Sequence, residues 1–219
     1  MLSAAQREKR QSIIDACRSM NALGINQGTS GNISLRDGEG FLITPTSTPY
    51  EGMQPEDIVA MRFDQTVVGD GRPSTEWRFH LDILRARPEA NAVVHTHPIY
   101  STTLAILGRG IPPLHYMISA AGGDSIRCAP YATFGTQELS DNAVAALADR
   151  KACLLAHHGM IAIGKTLQSA MWLAVEVENL AHQYFNCLQL GREPPLLTPE
   201  EMANVAERTA NYGLYSAPR

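Results

Sequence analysis

A short run of alternating apolar and polar residues, 33–36, and a largely apolar run, 41–44, are separated by Asp37-Gly38, and this pattern narrows the fold more than any other. The two-residue period is that of a half-buried strand, and Asp-Gly suits a tight hairpin turn. A second pair of runs, 57–63 and 65–68, repeats the arrangement. Successive hairpins build a largely antiparallel sheet rather than the strict βα alternation of a parallel one.

Helices are expected around these hairpins. Ile13, Ile14, Cys17, Met20 and Leu23 recur at helical spacing until Gly24 stops them. Residues 76–87 form a helix that ends before Pro88, and 101–107 form a shorter one. Residues 136–150 follow, with Thr136 as cap, and the strongly apolar run 167–190 ends at Gly191. The β-branched run Ala92-Val93-Val94-His95-Thr96-His97 reads as a strand ended by Pro98. Residues 152–156 and 160–163 are strands broken at His157-His158-Gly159, whereas 108–135 are Gly- and Pro-rich with strand-like patches. The expected architecture is α/β with α+β character: a three-layer α/β/α domain on a largely antiparallel central sheet. No repeat, linker or low-complexity tract divides it, so residues 1–219 are read as a single domain.

The composition sets broad limits. At 219 residues, 44% hydrophobic and 18% charged, the chain can bury a substantial core and is not disordered in character. A net charge of -4 is too small to argue for nucleic acid or an anionic membrane as partner. The four cysteines, Cys17, Cys128, Cys153 and Cys187, form no CxxC pair and read as reduced thiols. No apolar run approaches the roughly 20 residues that span a bilayer, and the N-terminus resembles no signal peptide. A cytoplasmic protein is expected.

The residues best suited to chemistry are histidines. His95 and His97 lie two apart on a strand, so both imidazoles leave the same face. A third ligand is available at His158, with His157 competing in the same dipeptide. Three neutral imidazoles and an open position make a catalytic zinc arrangement, although an isolated HxH is more often structural. His80, His115 and His182 lack such spacing and read as ordinary polar or helix-face histidines. Glu76 opens a helix, where it is either a general base or a first-turn glutamate favoured by the helix dipole. Three turns rich in glycine and hydroxyls, at 28–32, at Thr44-Pro45-Thr46-Ser47 and at Ser74-Thr75, could cradle a phosphate. They match neither nucleotide-binding glycine motif. Tyr116 could give a proton to an alkoxide, or could simply be a half-buried aromatic.

Taken together and in order, the motifs are similar to those of the class II aldolase/adducin family, and within it to the fuculose-phosphate branch. They are GTSGNIS (28–34), LITPT (42–46), EWRFH (76–80), AVVHTH (92–97), LHYMISAAGG (114–123), CAPYATFGT (128–136), HHG (157–159) and AMWLAVEVE (170–178). A terminal Tyr212-Gly213 completes the set. The resemblance implies one zinc ion per subunit on His95, His97 and His158, with Glu76 as acid/base and able to approach the metal without substrate. It implies phosphate binding by Asn32, Thr46, Ser74 and Thr75, with Gly28, Thr29 and Ser47 nearby. Phe134 and Tyr212 would line the aldehyde end, and Tyr116 would reach into a neighbouring subunit of a C4 homotetramer.

The implied reaction is retro-aldol cleavage of a ketose 1-phosphate, such as L-fuculose 1-phosphate or a related deoxy sugar phosphate. Its products would be dihydroxyacetone phosphate and an aldehyde such as L-lactaldehyde. The chain departs from the family pattern at Ser47 (commonly Gly), Thr75 (commonly Ser), Thr96, Pro98 and the Leu214-Tyr215 tail. The same fold hosts a ribulose-phosphate 4-epimerase, a methylthioribulose-1-phosphate dehydratase and the non-catalytic adducin head, and these are the competing readings.

Overall fold

The computed structural model describes residues 2–210. Helix α1 (Ala4–Ala22) opens on a capping box in which Ser3 and Gln6 satisfy each other's backbone N–H groups, and it closes at Gly24, whose φ is +71°. Strands β1 (Asn32–Asp37) and β2 (Gly40–Ile43) form the expected first hairpin, and β3 (Val59–Arg62) with β4 (Val67–Val68) the second. Then follow α2 (Trp77–Ala86), β5 (Ala92–Thr96), α3 (Ile99–Ile106), a 3-10 turn (Tyr116–Ala121) and β6 (Arg127–Ala129). Helix α4 (Gln137–Ala146), β7 (Ala152–Leu155), β8 (Gly159–Gly164), α5 (Leu167–Gln189) and α6 (Pro199–Ala210) complete the order.

The strands form one eight-stranded sheet in the order β4-β3-β2-β1-β5-β8-β7-β6. Every neighbouring pair is antiparallel except β6 and β7, which α4 connects as a crossover. Strand β6 lies in the region read from sequence only as strand-like patches, whereas β7 is the strand expected over 152–156. Thr136 caps α4 as expected, its hydroxyl accepting from Leu139 N–H at 3.2 Å.

Alternation along the strands divides the apolar side chains between two faces. Ile33, Leu35, Ala92, Val94 and Ala162 join Ile14 and Cys17 of α1 and Val177 and Leu180 of α5 in one core. Ile43, Val93, Cys153 and Ile161 join Phe79 and Ile83 of α2 and Leu139 of α4 in the other. The molecule is therefore three layers deep, with β1 and β5 at the centre of the sheet. Each fully buried Leu, Ile or Phe stabilises this packing by about 1.5–3 kcal/mol. Among the described residues, no helix is long and apolar enough to cross a membrane.

The same alternation turns polar groups inward at one end of the sheet. Val93 and His95 share the α2 side, and so do Asn32 and Ser34 on the adjoining strand β1. Asn32 is the register partner of His95. All three polar residues are buried.

Candidate active site

Four chain segments bring side chains to this end of the sheet. Asn32 begins β1, His95 and His97 come from the end of β5, His158 sits in the turn between β7 and β8, and Glu76 stands just before α2. The ligand-capable atoms of His95, His97 and His158 all lie within 4.8 Å of one another. Their rings pack edge-on or tilted, with centroids 4.7 to 5.1 Å apart. His95 Nδ1 lies 2.9 Å from the Met160 carbonyl, which can only accept, so Nδ1 carries the proton. His95 Nε2 lies 2.9 Å from His97 Nε2.

Glu76 is 6% exposed and occupies the position before α2, but its side chain makes no capping bond. The first-turn glutamate reading is thereby corrected: the carboxylate turns toward the imidazoles, and Ser74 Oγ accepts the Glu76 N–H at 3.3 Å. Glu76 Oε2 accepts from Asn32 Nδ2 at 2.8 Å and lies 3.2 Å from His95 Nε2. Oε1 lies 3.0 Å from His158 Nε2 yet accepts no well-directed hydrogen bond. Burial works to raise the Glu76 carboxyl, but His95 and His158 outweigh it and hold the group well below the usual carboxylate range. His97 is pushed down to about 3, first by burial and then by His95 and His158.

These observations test whether a cation suits the site. Imidazole nitrogens crowded together beside a buried carboxylate oxygen that accepts no hydrogen bond are costly unless something positive lies among them. The set is imidazole and carboxylate, which suits zinc and its neighbours in the first transition row. The residues present fit a divalent metal ion.

Glycine permits this crowding. A Cβ at Gly159 would stand 2.4 Å from His97 Cδ2 and 2.6 Å from the Thr96 carbonyl. One at Gly31 would meet the His95 carbonyl at 2.8 Å. Thr96, between the two histidines, points to the opposite face, where its hydroxyl bonds the Ile25 carbonyl and Asn26. It ties the loop after α1 to β5.

The hydroxyl-rich turns come together as well. Thr46 N–H donates to the Arg72 carbonyl at 3.1 Å and Ser74 N–H to the Thr44 carbonyl at 2.9 Å, setting Thr46 and Ser47 beside Ser74 and Thr75. Ser47 adopts a φ of +53°, a left-handed conformation in which glycine, the family's common residue there, is unstrained. Gly28 and Thr29 lie in the turn before β1, where the Gly28 carbonyl accepts from Asn21 at 3.1 Å.

A cavity of about 360 Å³ opens over Thr75, Glu76, His97 and His158. Its far wall is Tyr131, Phe134 and His157. Tyr131 is 59% and Phe134 64% exposed, and Tyr131 meets His157 edge-on at 5.9 Å. Gly28, Thr29, Thr46 and Ser47 do not line this cavity, nor does Tyr116, which is half-exposed and packs on His115 at 4.7 Å. Tyr212 lies outside the described residues.

Sequence reasoning singled out neither Ser34 nor Tyr131, read His80 as an ordinary histidine and weighed His157 only as an alternative ligand. His80 is wholly buried, with Nδ1 2.7 Å from Ser34 Oγ and Nε2 2.5 Å from Asn32 Oδ1. A usable signal existed: His80 follows Glu76 by one helical turn, and Ser34 follows Asn32 by one strand repeat.

Comparison with known proteins places this geometry. Residues 11–185 match the model of the class II aldolase and adducin N-terminal domain. The chain is 54% identical to a 5-methylthioribulose-1-phosphate/5-deoxyribulose-1-phosphate aldolase of Rhodospirillum rubrum, covering 93% of this chain and 92% of that protein. It is 52% identical to an L-fuculose phosphate aldolase of Escherichia coli K12, covering 92% and 94%. A solved structure of an L-fuculose 1-phosphate aldolase superposes with a TM-score of 0.89 at 36% identity, covering 96% and 98%. With the family model and these relatives matched along nearly all of its length, the chain belongs to the class II aldolase and adducin family, as one of its metal-dependent aldolases acting on sugar phosphates.

Proposed function

We propose that the chain is a zinc-dependent aldolase that cleaves a ketose 1-phosphate to dihydroxyacetone phosphate and a small aldehyde with an apolar end. The observation that carries this reading is the convergence of His95, His97 and His158 on Glu76, whose Oε1 has no hydrogen bond. His95, His97 and His158 would hold zinc, with Glu76 beside them. Zinc, when bound, supplies a Lewis acid that offsets negative charge developing on the substrate's oxygens.

The chain's own groups divide the remaining work. Glu76, ionised, would take a proton from the hydroxymethyl carbon of dihydroxyacetone phosphate in the condensation direction and, once protonated, return it to that carbon in cleavage. The hydroxyls of Thr46, Ser74 and Thr75, with Asn32, bind the phosphate, and Gly28, Thr29 and Ser47 shape that pocket. Tyr131, Phe134 and His157 form an aromatic wall for the departing aldehyde. Tyr116 of a neighbouring copy manages the proton on the C4 hydroxyl, in a cytoplasmic homotetramer with active sites at subunit contacts.

Candidate substrates are L-fuculose 1-phosphate, which would yield L-lactaldehyde, and 5-deoxypentulose 1-phosphates. Relatives of similar identity carry the names of both types of activity. A coupled assay for dihydroxyacetone phosphate with L-fuculose 1-phosphate, 5-deoxyribulose 1-phosphate and 5-methylthioribulose 1-phosphate, with and without chelator, tests the proposal. Release abolished by chelator and restored by zinc is expected, and the ratio of kcat/KM values names the sugar. No release from any of them would sink the reading in favour of epimerase or dehydratase chemistry.

A further inference from the structure

We infer that His80 is a positioning residue for the proton-transferring carboxylate, acting on Glu76 through Asn32; the inference rests on the aldolase reading above. Ser34, His80, Asn32 and Glu76 form a continuous buried chain, each 6% exposed or less. The contacts are 2.7 Å from Ser34 Oγ to His80 Nδ1, 2.5 Å from His80 Nε2 to Asn32 Oδ1 and 2.8 Å from Asn32 Nδ2 to Glu76 Oε2.

The chain has one self-consistent direction. An ionised carboxylate can only accept, so Asn32 must present its NH2 to Glu76 and its carbonyl to His80. The His80 Nε2 then has to carry the proton, because a bare nitrogen would face the Asn32 oxygen lone pair to lone pair. Nδ1 is therefore the acceptor, and the Ser34 hydroxyl donates to it. Reversing any member leaves two acceptors in contact in a region without solvent, at about 1–3 kcal/mol for each unsatisfied group. Each donor thus fixes the next acceptor, and the chain ends on the oxygen closest to His95. Phe79 stacks on the His80 ring at 4.7 Å and keeps it from turning out of line.

Without His80 the Asn32 amide is free to rotate, and its carbonyl can then face Glu76. The carboxylate would lose the well-directed donor that Asn32 supplies and its fixed aim at the substrate carbon. The three imidazoles are not in this chain of bonds and would keep their places.

The test compares wild type, His80→Gln and His80→Met by cleavage kinetics and by solvent deuterium exchange into dihydroxyacetone phosphate, which reports Glu76 proton transfer without an aldehyde. Bound zinc and Tm are measured alongside. His80→Met is expected to keep its zinc and to lose about 10- to 100-fold in kcat and in exchange rate, the range seen when an outer hydrogen-bond partner is removed. KM should change far less. His80→Gln, which can still donate to Asn32, should recover most of the loss. If His80→Met does not fold, Ser34→Ala serves instead and should lower exchange more than it lowers zinc content. Wild-type exchange in His80→Met, or a loss that tracks zinc release, would overturn the inference alone. A wild-type enzyme silent on every ketose 1-phosphate would remove the aldolase reading and this inference with it.

Discussion

The two walls of the cavity are built differently. The wall of Thr75, Glu76, His97 and His158 is backed by strand ends and turns at the middle of the sheet, where Asn32, Glu76 and His95 are buried and bonded to neighbours. The opposite wall is Tyr131, Phe134 and His157, large rings left open to solvent. Chemistry that must stabilise charge needs donors that do not reorganise, and central strands supply them. Recognition of a variable aldehyde tail needs shape and apolar area, which loops can supply and alter.

The comparison can be broken by substitution at either wall. The largest effect is expected for Glu76→Gln, which should lower kcat by about 100- to 10,000-fold, the usual worth of a positioned acid/base. Near-normal turnover would remove Glu76 from proton transfer.

The buried wall should also carry the acid sensitivity. His80 is held neutral, with burial first and His95 second pushing it from the ordinary 6.5 down to about 3. Between those values the unfolded chain binds a proton that the folded chain does not. Stability should therefore be intact above about pH 6.5 and fall as pH drops toward 3, by about 1.4 kcal/mol per unit for such a histidine. Thermal melts of chelated enzyme should show this slope, reduced in His80→Gln. An equal slope in both proteins would assign the acid sensitivity elsewhere.

Gly159→Ala introduces a methyl against His97 and should weaken zinc binding about 10- to 100-fold, as read by competition with a chromogenic chelator. Unchanged affinity would mean that the turn holding His158 gives way easily. At the open wall, Phe134→Ala should raise KM for an apolar-tailed sugar about 10-fold, roughly the worth of lost apolar contact in a pocket, and leave exchange into dihydroxyacetone phosphate unchanged. A fall in exchange would show that the two walls are not independent. The smallest effect is expected for Ser47→Gly, which relieves a left-handed serine and should stabilise the fold by at most about 1 kcal/mol in denaturant melts.

Much of the fold was legible because its elements are local. The Asp37-Gly38 hairpin, the stripe of Ile13, Ile14, Cys17 and Met20 and the cap at Thr136 each follow from spacing within a few residues. The parallel β6–β7 pair was not legible, because it joins short runs separated by α4 and depends on long-range packing. At the site, His95 and His97 could be read as facing one way from strand period alone. Glu76 could not, since a carboxylate before a helix looks the same in sequence whether it caps the helix or turns inward. His80 was overlooked for a related reason: what singles it out is a partner, Asn32, 48 positions away in the chain.

The outermost strands have a bearing on assembly. Strand β4 has 2 residues and β6 has 3, so neither flank of the sheet offers a long row of free backbone groups. Copies of this chain that associate therefore have little to gain by stitching their sheets together. Contacts between such copies would rest on helix and loop side chains and would leave the layer that carries the chemistry intact.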